Sequence, residues 1–286
     1  MKNPAAAVSD PLEPSPLSVV APAKPRGLPR PTDPAVRKAI IIVALLALWE
    51  AAVRLFRVSP LLFPPPSDVL RVFVQASLSG DLLQYTWQSL LTLSLGMAIG
   101  VALALVLVSL ATFSRLVGDV METLTAMFNP VPAIALLPLA LLWFGLNIRS
   151  LVFVIVHAVL WPMYLNLYTG FSAVPITLVR VGQNFGLRGG RLVVGILLPA
   201  TFPYILSGLK IAWAFGWRTM IASELVFGVT GSKGGLGWFI YTNRYNLNTA
   251  HVFAGLLMVI LIGLLVENGV FRSVERVTVR RWGMQT

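Results

Sequence analysis

Apolar residues along this chain run on in long blocks instead of alternating with polar ones. Six blocks can be drawn, over 39–56, 86–113, 120–146, 150–174, 201–229 and 250–270. Roughly 20 mostly apolar residues in a helix cross a hydrocarbon core about 30 Å thick, so each block is close to or beyond the length of one span. A helix satisfies its backbone hydrogen bonds within the segment, as lipid requires. No train of ten-residue alternating strands occurs, which argues against a barrel. The pattern predicts an all-α membrane protein with six transmembrane helices. Gly96 and Gly100, one turn apart in the second block, permit close helix contact. Asn129-Pro130-Val131-Pro132 interrupts the third.

Polar residues set the boundaries. Residues 1–38 are rich in Pro, Ala and Ser and nearly free of aromatics. Such a segment buries too little surface to offset its ordering entropy and is expected to be a disordered tail. The first apolar block starts far from residue 1 with no small-residue cleavage pattern after it, against a signal peptide. A permease domain over 39–272 and a short tail over 273–286 complete the expected organisation. An even number of spans puts both termini on one side, and basic residues choose the side. With the N-terminus inside, fourteen Lys and Arg fall in interior segments and six in exterior ones. Both termini are therefore expected in the cytoplasm. Among the outer segments, Pro64-Pro65-Pro66-Ser67-Asp68 predicts Ser67 as the N-cap of a short amphipathic helix. The glycine-dense 228–237 lacks the spacing of a phosphate loop and is expected to be a flexible outer gate or docking loop.

Composition sharpens this picture. Hydrophobic residues make up 57% and charged residues 12% of the 286, with a mean hydropathy of +0.80, where soluble domains devote roughly a quarter to charge. The net charge of +11 sits mostly beside the spans, so it does not point to nucleic acid. Cysteine is absent, which excludes disulfides and thiolate chemistry. His157 and His251 have no partners at ligand spacing, so neither a metal nor another cofactor is expected.

One inner segment is too polar to span and too apolar to be a linker. Over 175–200, Pro175 opens a short helix that Gly186 ends, and a second segment, LRGGRLVVGILL, runs to Pro199. Two short helices meeting at a glycine make a compact helix-turn-helix with Arg188 and Arg191 at its surface. An ordinary basic loop resting on lipid phosphates would present the same arginines. Gly186 followed ten residues later by Ile196-Leu197-Leu198-Pro199 resembles the signature of the membrane subunits of binding-protein-dependent ATP-binding-cassette (ABC) importers: Glu-Ala-Ala, three residues, Gly, nine residues, Ile-x-Leu-Pro. The stretches 129–145, 208–228 and 274–285 are similar to the nitrate/sulfonate/taurine branch of that family. The resemblance covers about residues 40–285. Arg180-Val181-Gly182 stands where the family has Glu-Ala-Ala, a cation in place of a carboxylate.

The resemblance implies that this helix-turn-helix, between spans four and five, couples to a cytoplasmic ATPase through Arg180, Gly182, Gly186, Leu187, Arg188, Ile196 and Pro199. It implies two ATPase subunits, a periplasmic solute-binding protein, a second copy of this chain and a site in the bacterial inner membrane. The expected cargo is a small anion: nitrate, bicarbonate, an alkanesulfonate, taurine or a related organic acid.

The fifth block carries the candidate pathway. On a helical wheel Lys210, Trp213, Trp217 and Glu224 fall on one face, while Gly208, Ala212 and Gly216 form a small-residue ridge on the other. Arg218 is a further candidate, and so is Asn129 at the break in span three. Ionisable groups inside membranes often mark a route, though they serve structural ion pairs too. Lys210 and Glu224 are about 21 Å apart along a helix and do not pair with each other. A secondary transporter driven by an ion gradient is the main alternative, and it would show repeated halves and deep carboxylates. No repeat is evident. An embedded enzyme would need clustered His, Asp or Cys, and no such cluster occurs, so no catalytic residue is assigned.

Overall fold

The computed structural model describes residues 34–227 and 234–278. It divides into two compact units, one ending at Leu45 and one beginning at Leu46. The first contributes the leading half of α1 (Pro34–Leu55), where Arg37 and Lys38 precede a run of apolar residues. The helix therefore starts at Pro34, ahead of the apolar block. Of the tails expected over 1–38 and 273–286, residues 34–38 lie in α1 and 273–277 continue the last helix, while 1–33 and 279–286 fall outside the described residues.

In the second unit the described secondary structure is entirely helical. It runs through α2 (Pro66–Leu78), α3 (Asp81–Phe113), α4 (Arg115–Phe128), a 3-10 turn (Ala133–Leu136) leading into α5 (Leu137–Phe144), and α6 (Ile148–Ala173). After these come α7 (Ile176–Asn184), α8 (Gly190–Ala200), α9 (Phe202–Phe227), α10 (Leu236–Tyr245) and α11 (Thr249–Val277). A π-turn lies inside α8 at Val193–Leu197 and another inside α11 at Val266–Phe271.

Three of the described helices, α3, α6 and α11, are long and apolar enough to cross a membrane unaided. Two further spans arise if each bent pair counts as one: α4 with α5, bent by 93°, and α8 with α9, bent by 80°. The first bend follows from the two prolines flanking Val131. Neither ring nitrogen can donate to a helix, and the residue before a proline is pushed out of the helical region. Ser67 is not the N-cap of α2. That helix begins at Pro66, with Pro65 in an extended conformation before it. The Ser67 hydroxyl and backbone N–H instead donate to Glu50 at 2.9 and 3.0 Å, while Glu50 also pairs with Arg54.

The core is a three-helix contact of α3, α6 and α9. Leu93 of α3, Ile155 and Val159 of α6, and Ala212, Trp217 and Met220 of α9 form one buried cluster. Lipid tails are as apolar as these side chains, so helices here are held by close packing and hydrogen bonding instead of by exclusion from water. Glycine makes that packing possible. A Cβ at Gly100 would lie 2.7 Å from Val159 Cγ1, and one at Gly96 would overlap Ile155. The predicted ridge on α9 does the same work from the other side. Gly208 faces Asn166 and Met163, and Gly216 faces Leu93 and Val159. Side-chain hydroxyls within the helices mostly fold back onto the carbonyl four residues earlier, as at Thr86, Ser109, Thr112 and Ser223, so few demand an outside partner.

Replacing Gly100 with leucine should therefore force α3 off α6, at a cost of about 1–3 kcal/mol or more for an overpacked contact. A lower melting temperature and a smaller monodisperse fraction in detergent are the expected readouts. Gly269→Ala, where an added Cβ meets nothing within 4 Å, should leave both unchanged or slightly improved.

Candidate functional site

Two regions hold the candidate residues. In the first, α7 and α8 form an antiparallel elbow. Pro175 precedes α7 in an extended conformation, and Gly186 ends the helix with a φ of +80°. The N–H of Gly186 donates to the Gln183 carbonyl at 2.9 Å and that of Leu187 to the Gly182 carbonyl at 3.0 Å. This pair of bonds is the Schellman motif, whose left-handed residue is normally glycine. Gly189 is also left-handed, at φ +51°, so two glycines together reverse the chain. A side chain at either would be strained, since L-residues clash with their own backbone there.

Gly182 explains one departure from the importer signature. It is buried, and a Cβ on it would sit 2.9 Å from Ile196 Cγ1 and 3.0 Å from Leu192 Cδ1. The position demands a very small residue because α7 and α8 touch there. Leu187 is half-buried near Gly195, whereas Pro199 is exposed on α8. Arg180, Arg188 and Arg191 are exposed, and none forms an ion pair with another described residue. The sequence reading overlooked Phe185, just before the turn, which is 83% exposed between Arg180 and Arg188. Val181 and Ile176 are exposed on the same short helix. Nothing in local hydrophobicity marks Phe185, because only the packing shows which apolar residues lack a neighbour.

In the second region the polar face of α9 is divided among three surroundings. Lys210 Nζ forms a 2.5 Å ion pair with Glu275 near the end of α11, both half-buried. Trp213 and Trp217 stack with ring centroids 5.8 Å apart and planes 7° from parallel, and Trp217 is buried. Arg218 is exposed; its Nε donates to the Ala214 carbonyl at 2.9 Å, and its guanidinium lies 5.3 Å from the Phe215 ring centroid.

Glu224 is 3% exposed and sealed in a network of its own. It accepts hydrogen bonds from the Gly237 N–H at 2.8 Å and the Ser89 hydroxyl at 3.1 Å, while Ser89 Oγ accepts from the Leu236 N–H at 2.8 Å. The network ties α3, α9 and the start of α10 together. A Cβ on Gly235 would overlap the Glu224 carboxylate, and one on Gly237 would come within 2.5 Å of Glu224 Cβ. The end of the glycine-dense stretch is thus a packed seat at 234–237; the gate expected over its remainder, 228–233, falls outside the described residues. Asn129 follows α4 at the bend and lines a cavity of about 440 Å³ between α4 and α6.

Long apolar helices that pack through glycine contacts make a membrane-embedded subunit, and sequence comparison identifies its class. The chain belongs to the family of binding-protein-dependent transport system inner membrane components, whose model matches residues 96–278. It is a multi-pass membrane permease. Among its relatives, the putative aliphatic sulfonates transport permease protein SsuC of Bacillus subtilis is 29% identical over 237 residues, covering 83% of this chain and 84% of that protein. The taurine transport system permease protein TauC of Escherichia coli is 29% identical over 248 residues, covering 82% and 86%. The Escherichia coli SsuC is 29% identical over 229 residues, covering 79% and 84%. These relatives agree with the branch to which 129–145 and 208–228 are similar.

The Glu224 network generates a stability prediction. Ser89→Ala removes a donor to Glu224 and leaves the Leu236 N–H buried without an acceptor, which costs about 1–3 kcal/mol. Gly235→Ala should be worse, because the carboxylate itself must move. Melting curves of the purified variants should show both below wild type, with Gly235→Ala the lower.

Proposed function

We propose that this chain is the pore-forming subunit of an ATP-driven importer, and that the α7–α8 elbow is the lever through which a cytoplasmic ATPase moves the spans. The observation that carries the reading is Phe185. A large aromatic ring stands 83% exposed beside exposed arginines, on a helix locked to its neighbour through Gly182 and ended at a left-handed glycine. An exposed aromatic flanked by cations fits the groove of a soluble partner, since aromatic and Arg side chains are enriched where protein contacts are strongest. The close packing makes the elbow stiff enough to pass a displacement on, and α8 runs directly into α9.

In this reading six spans form from α1, α3, the α4–α5 pair, α6, the α8–α9 pair and α11. Both chain ends and the elbow lie in the cytoplasm, the side that the basic residues favour. Two copies would build the pore in the bacterial inner membrane, served by two ATPase subunits and one periplasmic binding protein. ATP binding would close the ATPases, draw the two elbows together and alternate access for a solute delivered from outside. The sulfonate and taurine names of the relatives, with the excess positive charge of the chain, support a small organic acid as cargo.

Gly186→Val tests the lever. A β-branched residue cannot take the left-handed φ without strain, so the elbow should re-form at a different angle. ATP-driven uptake into vesicles holding the whole complex should fall more than tenfold while the amount of permease in the membrane stays the same. Phe185→Asp should reduce co-purification of the ATPase. Uptake that persists at the wild-type rate in both variants, or without any ATPase, overturns the reading in favour of a gradient-driven carrier.

A further inference from the structure

The cavity beside Asn129 has chemistry that the elbow and the Glu224 network leave unused. Its α4 wall is Gly118, Glu122, Thr125, Ala126 and Asn129, which recur at helical spacing along one face of α4. Its α6 wall includes Tyr164 and Tyr168, whose rings stack at 5.9 Å. Glu122 is exposed, and it forms no hydrogen bond or ion pair with another described residue. Thr125 is 5% exposed and its hydroxyl is buried without a partner. Thr123, two residues away, bonds the Asp119 carbonyl at 2.9 Å, whereas Thr125 makes no such bond to Met121.

These groups lie at membrane depth if the six-span reading holds, and the inference rests on that reading. Within a span an unpaired carboxylate is too costly to face lipid and looks onto water or protein, as Glu122 does at the rim of this cavity. We infer that this cavity is a solute subsite on the translocation route, and that it takes a small zwitterion bearing both an ammonium and an acidic group. Glu122 supplies only acceptors, which suits an ammonium; the Asn129 carboxamide and Thr125 hydroxyl can donate to acidic oxygens. Glu122 and Asn129 are about 10 Å apart along the helix axis. A two-carbon amino sulfonate, roughly 4–5 Å between its terminal heavy atoms, fills that span with one hydrogen bond of about 2.9 Å at each end.

Taurine and ethanesulfonate differ by the amino group and make the probe pair. The full-length permease in lipid nanodiscs, without ATPase or binding protein, is titrated with each by calorimetry. Wild type should bind taurine at least tenfold more tightly than ethanesulfonate. Glu122→Gln should abolish that preference, weakening taurine about tenfold while ethanesulfonate is unchanged, and Asn129→Ala should weaken both. The preference is a ratio, so partial loss of folded protein does not mimic its disappearance. Equal binding of the two by wild type, no binding of either, or undiminished taurine preference in Glu122→Gln overturns the proposal. So does efficient disulfide formation between copies of a Glu122→Cys variant, which would make this face a subunit contact. The motor is absent from this assay, so its failure leaves ATP-driven import standing. Failure of the lever test, conversely, would leave the binding result intact.

Discussion

Close approach of helix backbones governs this molecule. In water, α3, α6 and α9 would be pressed together by their apolar surfaces; in lipid that force is missing and contact distance decides. Gly96 and Gly100 bring α3 onto Ile155 and Val159, while Gly208 and Gly216 bring α9 onto the other flank of α6. The central helix is buried on both sides as a result, from Leu151 to Phe171. Once these three are fixed, the polar groups have few arrangements left. Ser89 on α3 must meet Glu224 on α9, and both must meet the backbone of 235–237.

The same constraint extends to the elbow. Gly170 near the end of α6 lies against Tyr204 and Thr201, where an added Cβ would approach within 2.8 Å. Thr201 sits at the 80° bend between α8 and α9, fully buried, with its hydroxyl on the Leu197 carbonyl at 2.8 Å. Gly182 then packs α7 onto α8. Gly182, Thr201 and Gly170 thus join α7, α8, α9 and the end of α6 through close contacts and one satisfied hydroxyl.

Much of this was legible in the chain. The apolar blocks locate α3, α6 and α11; the small-residue ridge on α9 packs as a helical wheel says it should; and Gly186 terminates α7 with the left-handed turn its spacing implies. What stayed hidden was direction and distance. Hydropathy averages along a segment and carries no angle, so the Pro130/Pro132 break marked where the third block bends but not its 93°, and the start of the fifth gave no warning of its 80° bend. Ser89 lies 135 residues from Glu224, and no local pattern announces their bond. Ser67 has the right company for an N-cap, yet the helix begins one residue earlier, and the Ser67 hydroxyl and N–H donate to Glu50 of α1 instead. Lys210 likewise finds Glu275, 65 residues away, because α11 happens to end beside it.

Two carboxylates within the apolar helices make the sharpest contrast. Glu224 has a donor from each neighbouring element, is nearly inaccessible, and is surrounded by glycines that leave room for nothing else. Its hydrogen-bond partners are all internal, and it is 3% exposed. Glu122 has no such donors, stands at the rim of a cavity, and is followed by small and hydroxyl residues on its own face of α4. Wheel position makes Glu224 a candidate for the route, whereas no pattern along the chain singles out Glu122. Accessibility and existing partners reverse that order. A membrane protein that retains an unpaired carboxylate must gain something from it, and a passing ammonium group is a partner that Glu224, already satisfied, could not serve.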